Sequence, residues 1–437
     1  MPRHTDLPSV PAAKPAVEEV TAHRGHPGWR MTLYTMWVAQ LCSIMGFSFV
    51  MPFIPFYIRE LGVTDERLLP IWSGVLVSGA GIAMAVMGPI WGGVADRYGR
   101  KLMVQRAMFG GAVVLTLMGF VRNVRQLLAL RIIQGTITGT VPASVALVSS
   151  VVPRASLGFS LGLMQMAVFS GSSIGPYLGG MVADRFGYRV PFAVTGALLL
   201  TGGMLVLFGA RERFVKPAAR QRDQTASVVA LLRTRGVFVL LALYFMMNLS
   251  GSFVAPIFPL FVERIVGKPA QAATETGLLL AVTGLASAFS SVATGRLSDR
   301  LGHKRMLIIC TTTAAVLSFP HAIAHSLWQL MGLRVLFGFG VGGMAPAMNA
   351  LVASTVPSAR LGRAYGFTTT ASALGMACGP VLGGWAASAA GYRLPFVFMG
   401  AMLLILAVGQ SRGLQPREVA ARAPALEAEP AADPEGA

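Results

Sequence analysis

Charge is scarce in this sequence. Only 12% of its 437 residues are Asp, Glu, Lys or Arg, while 54% are hydrophobic, and soluble domains run near a quarter charged. That balance excludes an ordinary water-soluble fold and points to a chain that lives in lipid. Acids are scarcer still, 18 against 36 Lys and Arg, for a formal charge of +18. The excess does not mark nucleic-acid binding, which needs basic groups gathered on one wetted face; here they stand singly between long apolar runs. Cysteine is rare: Cys42, Cys310 and Cys378 lie inside those runs at wide, irregular spacing, which excludes a disulfide framework and a thiolate metal site. There is no Gly-x-x-x-x-Gly-Lys-Ser/Thr loop, so ATP is not the energy source. Paired acids, a nucleophile with its base and metal ligands at helical spacing are all missing, so neither an enzyme nor a cofactor is expected.

What the chain has in quantity is apolar stretches of about 20 residues, the length that crosses a roughly 30 Å hydrocarbon core. Twelve can be counted: 31–57, 70–95, 102–121, 126–151, 159–182 and 190–210, then 236–259, 274–295, 306–324, 327–354, 361–389 and 394–410. An even number places both termini on one side. With the termini inside, 24 Lys and Arg fall in tails and inner loops, 9 in outer loops and 3 (Arg106, Arg131 and Arg334) within spans, so the positive-inside rule puts both ends in the cytoplasm. The expected organisation is a disordered tail (1–28), a six-helix half (29–210), a cytoplasmic linker (211–235) with an interfacial helix near Ser227 to Leu232, a second six-helix half (236–413) and a second disordered tail (414–437).

The halves are copies at an offset of 203 to 204. Pro52 and Pro55 return as Pro256 and Pro259, Gly92-x-x-x-Asp96-Arg97-x-Gly99 as Gly295-x-x-x-Asp299-Arg300-x-Gly302, and Leu130-Arg131 as Leu333-Arg334. Gly175-Pro176-x-Leu178-Gly179-Gly180 returns as Gly379-Pro380-x-Leu382-Gly383-Gly384, and Gly187-Tyr188-Arg189 as Gly391-Tyr392-Arg393. Six spans per copy make these parallel repeats about an axis along the membrane normal, an all-α architecture with a cavity between the halves that rocking exposes to each side in turn.

The loop from Gly92 through Arg100 to Lys101, the Arg131 to Gly135 segment and Gly171 to Gly180 resemble, in order, the signature motifs of the major facilitator superfamily, specifically its twelve-span drug:proton antiporters. The resemblance covers about Met31 to Gln410. It implies a multidrug efflux transporter in the cell inner membrane, exporting small amphipathic molecules in exchange for protons by a rocker-switch motion. The proton gradient would be its energy source, with no cofactor and a monomer as the working unit. The Ala- and Arg-rich composition also fits a bacterium with a GC-rich genome.

In the resembled family the loop motif is a conformational latch, which assigns gating to Gly92, Asp96, Arg97, Gly99 and Arg100 and to their copies Gly295, Asp299, Arg300 and Gly302. Arg100 and Lys101 also have a plainer reading as positive-inside charges. Arg131 lies about 8 Å inside the fourth span at 1.5 Å per residue, and a buried arginine is costly to insert. Gln134 and Thr138 extend it into a polar face, and the Arg131, Gln134, Gly135 segment resembles the motif linked to proton coupling. Snorkelling to the headgroups is the rival account of Arg131. Arg334, its copy, lacks the glutamine. Gly171, Gly175 and Gly179 form a flat packing face beside Pro176 and Gly180, the family's antiporter motif, with Gly379 and Pro380 in the copy; a generic small-residue seam is the bland alternative. Gln40, Gln165, Tyr244, Asn248 and Asn349 are polar positions within apolar spans and are expected to line a mainly apolar substrate cavity, though helix-to-helix bonding would explain some of them.

One family feature is absent: no Asp or Glu stands more than one residue inside a span. Glu60 and Glu263, at offset 203 where the first and seventh spans close, are the remaining candidates for the coupling proton, ahead of Asp184 and Glu275. A buried cation would then lack a carboxylate partner, so neutral or anionic amphiphiles are expected ahead of cations. A sugar or metabolite exporter, a symporter of the same fold and a non-transporting sensor or scaffold are the competing readings.

Overall fold

The computed structural model describes residues 28–153, 156–212, 235–355 and 361–413. The tails at 1–27 and 414–437, most of the linker and the expected interfacial helix at 227–232 lie outside the described residues. The described chain forms sixteen α-helices and one short 3₁₀ turn, with no strand. The first half contains α1 (Trp29–Phe49), α2 (Ile54–Glu60), α3 (Leu68–Tyr98), α4 (Arg100–Met118), α5 (Val124–Ile137), α6 (Thr140–Val151), α7 (Leu157–Phe186) and α8 (Val190–Gly209). The second half repeats the series as α9 (Arg235–Phe253), α10 (Phe258–Val266), α11 (Ala272–Leu301), α12 (His303–His321), α13 (Leu327–Gly342), α14 (Met344–Thr355), α15 (Leu361–Ala390) and α16 (Leu394–Gly413).

Sixteen helices make twelve spans because four spans are broken. The first bends by 50° between α1 and α2, where Pro52 and Pro55 deny the ladder two backbone donors; Pro256 and Pro259 divide α9 from α10 in the same way. The fourth breaks at Thr138, which is extended, and Gly139, whose φ of 137° is left-handed. The expected polar face running from Arg131 to Thr138 is therefore corrected: the helix ends at Ile137, and the Thr138 hydroxyl folds back to donate to the Gln134 carbonyl. The tenth breaks between α13 and α14 at Gly343. Length and apolarity mark ten spans, or eleven with the bent α1–α2 pair. The twelfth is α12, which begins His303-Lys304-Arg305 and carries Thr311-Thr312-Thr313, so composition alone passes it over.

Local chemistry repeats along with topology. Asn123 caps α5 by accepting the Gln126 N–H, and Gln126 reaches back to the Arg122 N–H. Ser326, Gln329 and His325 make the same reciprocal box at α13, satisfying donors that a helix start leaves free. At the other face, Gly99 and Gly302 (φ 99° and 88°) join α3 to α4 and α11 to α12 without a loop, a backbone turn that side-chain-bearing residues resist.

Within each half, α1 packs on α7 and α8, and α9 on α15 and α16. The halves meet along two seams, α7 against α11 and α3 against α15. The face on which α1 begins and α16 ends is called the tail face and the opposite one the far face. At the far face each half is filled by aromatic rings, Tyr57 on Phe192 at 5.1 Å in the first and Phe261 on Phe396 at 4.7 Å in the second.

Candidate functional site

The two seams are built from backbone. A β-carbon at Gly180 of α7 would run into the Ala273 carbonyl of α11, and one at Gly277 into the Pro176 carbonyl. The other seam is the same contact with the halves exchanged: Gly384 of α15 lies on the Pro70 carbonyl of α3, and Gly74 on the Pro380 carbonyl. The next pairs inward are Gly284 with Ser173 and Gly81 with Ala377. Adjacent glycines of the fifth-span motif thus face two different neighbours. Gly171, Gly175 and Gly179 lie against Met45, Ser48 and Phe49 of α1 in their own half, as expected for a flat packing face, whereas Gly180 and Pro176 hold the other half. Gly375, Gly379 and Gly383 pack on α9 in the copy.

Both seams occupy the far side. Gly284 is about 18 Å along α11 from its far-face end at 1.5 Å per residue, near mid-membrane. Beyond that depth, a β-carbon at Gly88, Gly92, Gly158, Gly162 or Gly295 would meet nothing within 4 Å. The helices that touch backbone to backbone at the far face have therefore parted at the tail face.

Polar contacts lock the same far side. Arg59 of α2 gives Glu263 of α10 two hydrogen bonds, 2.7 and 2.9 Å, and Arg264 pairs with Glu66 across the halves at 2.6 Å. Glu60 is held within its own half by Arg189 at 3.1 Å. Asp184 at the end of α7 accepts the Thr274 N–H at 2.7 Å, so the positive end of α11 is capped by a carboxylate from the other half. Both sequence candidates for a proton site are thus salt-bridged, whereas Asp184 and Glu275 each keep a buried oxygen without a partner. Tyr188 and Tyr392, equivalent loop residues, have their phenols pushed up by burial and stay neutral; Arg264 lies over the Tyr392 ring at 4.5 Å.

At the tail face the loop residues act within their own half. The Arg100 and Lys101 N–H groups donate to Glu212 at 2.9 and 2.8 Å, which caps α4. The Lys101 ammonium binds the Leu207 and Ala210 carbonyls at the end of α8, and the Arg100 guanidinium reaches the Ala146 carbonyl. Lys304 repeats the Lys101 role on Ser411. These cations therefore close helix ends in addition to any part in orientation. Arg97 and Arg300 are exposed. The Asp96 and Asp299 side chains lie outside the described residues.

Arg131 is buried, with one hydrogen bond to Gln134 at 3.1 Å and its Nε unpartnered, so it does not snorkel. Gly135 presses α5 onto the Ala80 carbonyl of α3, and Gly338 presses α13 onto the Thr283 carbonyl of α11. Arg334 is buried too, with rings in place of the missing glutamine: its guanidinium lies 3.7 Å from the Phe258 centroid and 5.7 Å from that of Phe337, the residue at the Gln134 position, a cation–π arrangement. His321 is the last residue of α12 and fully buried, stacked on Phe396 at 5.5 Å.

The cavity candidates divide by half. Tyr244 donates to Asn349 at 2.6 Å, and Asn248 donates to the Tyr244 carbonyl at 2.9 Å. In the first half Gln40 and Gln165 line one cavity of about 140 Å³ with Val141, Val145, Leu161, Met164 and Val168. No three His, Cys, Asp or Glu gather into a metal site among the described residues.

Two parallel six-span repeats, sealed at one face and parted at the other, define a secondary transporter of the alternating-access kind. The chain belongs to the Major Facilitator Superfamily, which it matches over residues 36–272 and 240–433. It is 33% identical over 402 residues to the multidrug resistance protein MdtG of Serratia proteamaculans, covering 92% of this chain and 98% of that one. The MdtG of Salmonella typhimurium is 32% identical over 393 residues, 90% of this chain and 97% of that one. Among solved structures, an inward-facing, occupied bacterial homologue of the human lysosomal transporter Spinster superposes with a TM-score of 0.75 at 15% identity, covering 89% of this chain and 97% of that one. The human organic anion transporter MFSD10 gives 0.66 at 17%, covering 88% of this chain and all of that one.

Proposed function

We propose that the protein exports small amphipathic drugs or toxic metabolites across the cell inner membrane in exchange for protons, as a monomer with both termini in the cytoplasm. The observation that carries the reading is the pair of glycine–carbonyl seams, closed on the far side and parted on the tail side, the arrangement a rocker-switch needs in one of its two states. The Lys and Arg excess of the tails and tail-face loops makes the tail face cytoplasmic, so the state described is inward-facing and ready to load. Relatives named for multidrug resistance support export over import. Arg131, Gln134 and Gly135 serve coupling and the Gly92 to Arg100 loop serves gating in this reading. No charged side chain lines the first-half cavity, which favours neutral over charged substrates there.

Everted membrane vesicles test it. Energised vesicles should accumulate drug, and an uncoupler should abolish accumulation within the time it takes to collapse the proton gradient. Accumulation that persists without the gradient, or vesicles that move nothing, would refute the proposal.

A further inference from the structure

The amide of Gln40 is completely buried in α1, and neither its Nε2 nor its Oε1 makes a hydrogen bond. A buried polar side chain without partners is rare and costs stability, so it needs an explanation. Gln410 in α16 shares the condition, but it lines neither this cavity nor the smaller one beside Met51 and Ala255. Gln40 is distinguished by what it faces: a cavity of about 140 Å³ that also takes in Gln165. The cavity walls come from α1, α6 and α7 of the first half, and Gln40 sits about 16 Å along α1 from its tail-face end at 1.5 Å per residue, close to mid-membrane.

The repeat sharpens the contrast. The positions equivalent to Gln40 and Val145 at offset 204 are Tyr244 and Asn349, which are bonded to each other. In the second half these two positions satisfy each other, whereas in the first half the Gln40 donor and acceptor are left unpartnered.

We propose that this cavity is the polar subsite for the exported molecule, and that it takes a neutral group bearing a hydrogen-bond donor and acceptor side by side: a carboxamide, lactam, imide or urea. This rests on the export reading above and deepens it by naming the chemistry recognised. A glutamine amide presents one C=O and one N–H along the same edge, so a second amide edge meets it with two hydrogen bonds at once. The cavity has the volume of several waters, each about 30 Å³ in the liquid, which is room for one small polar group. With no Lys, Arg, Asp, Glu or His on the lining, a formal charge placed here would be uncompensated. The volume is below that of a whole drug site, so it holds one end of the molecule, against Val145 and Met164.

The test uses the full chain in lipid nanodiscs and three matched compounds: 4-butylbenzamide, its N,N-dimethyl derivative and methyl 4-butylbenzoate. Calorimetry should show the wild type binding the primary amide at least tenfold more tightly than the other two, which lack the N–H donor. Gln40→Leu should erase that preference, bringing the three within about threefold of one another, while melting no lower than wild type because two unpartnered polar atoms are gone. Gln40→Met serves the same purpose if the leucine variant is not recovered. Val145→Phe, which fills the cavity, should weaken all three. A wild type without the preference, or a preference that survives in Gln40→Leu or Val145→Phe, overturns the subsite. Vesicle export that is intact without amide selectivity sinks the subsite alone, and amide-selective binding without gradient-driven accumulation sinks the export reading alone.

Discussion

Arg59 and Glu263 occupy the same position in the two repeats and bind each other. The register of the broken spans is 204, since α2 begins at Ile54 and α10 at Phe258, so Glu263 corresponds to Arg59 and Glu60 to Arg264, not Glu60 to Glu263 as an offset of 203 suggests. A residue near an approximate twofold axis meets its own copy. Identical charges there would repel, and here one copy is positive and the other negative. Arg59 is 39% exposed, so solvent screens the pair and its worth is at most about 1 kcal/mol, up to about fivefold in the balance between the far-closed and far-open states. Glu263→Arg should shift that balance towards the far-open state, read as longer distances between spin labels at Arg122 and Lys268. The double exchange Arg59→Glu with Glu263→Arg should restore wild-type distances. Unchanged distances in the single variant would remove the pair from the closing mechanism.

At the scale of helices, the twelve spans, their duplication and the motif glycines were legible in the sequence because each is a periodic or compositional signal. The partner of each glycine was not. Gly179 and Gly180 are neighbours in sequence, yet one lies on α1 of its own half and the other on α11 across the seam, a distinction that only tertiary packing makes. The breaks in four spans were half visible: prolines announce two of them, but Gly139 and Gly343 looked like ordinary membrane glycines. The burial of Arg131 and Arg334 was likewise undecidable from depth alone, since snorkelling and a ring partner produce the same sequence. The seam geometry predicts opposite effects for two kinds of glycine. Gly180→Val drives side chain into the Ala273 backbone and should destabilise the far-closed state, lowering the melting temperature of the inward-facing protein and lengthening far-face distances; Gly180→Ala should do the same to a lesser degree. Gly92→Val meets nothing in the state described and should leave its stability within about 0.5 kcal/mol of wild type. Its penalty should appear only when the tail face closes, as a loss of transport with normal abundance. If Gly92→Val transports normally, the tail-face ends do not close against that surface.

For the molecule as a whole, the proposed orientation rests on charge. Lys and Arg near the ends of spans resist translocation, and 24 of the 36 fall in the tails, linker and tail-face loops against 9 in the far-face loops, including the Arg100–Lys101 pair that also caps helix ends. The far-face loops are the short turns near Gly62, Arg122, Gly187, Gly267, Ala324 and Gly391. A phosphatase that is active only outside the cytoplasm, fused after each of these turns, should be active at all six, and inactive when fused near Gly99, Val152 or Gly302 or at the chain end. The broken spans make this more than a count of helices: were α2 or α10 a re-entrant piece and not the end of a span, activity would invert from the next turn onward. Inactive fusions near Arg122 with active ones near Gly99 would reverse the membrane orientation. The described state would then be outward-facing, with the Gln40 cavity near mid-membrane reached from outside the cell, and the export proposal would need the opposite loading step.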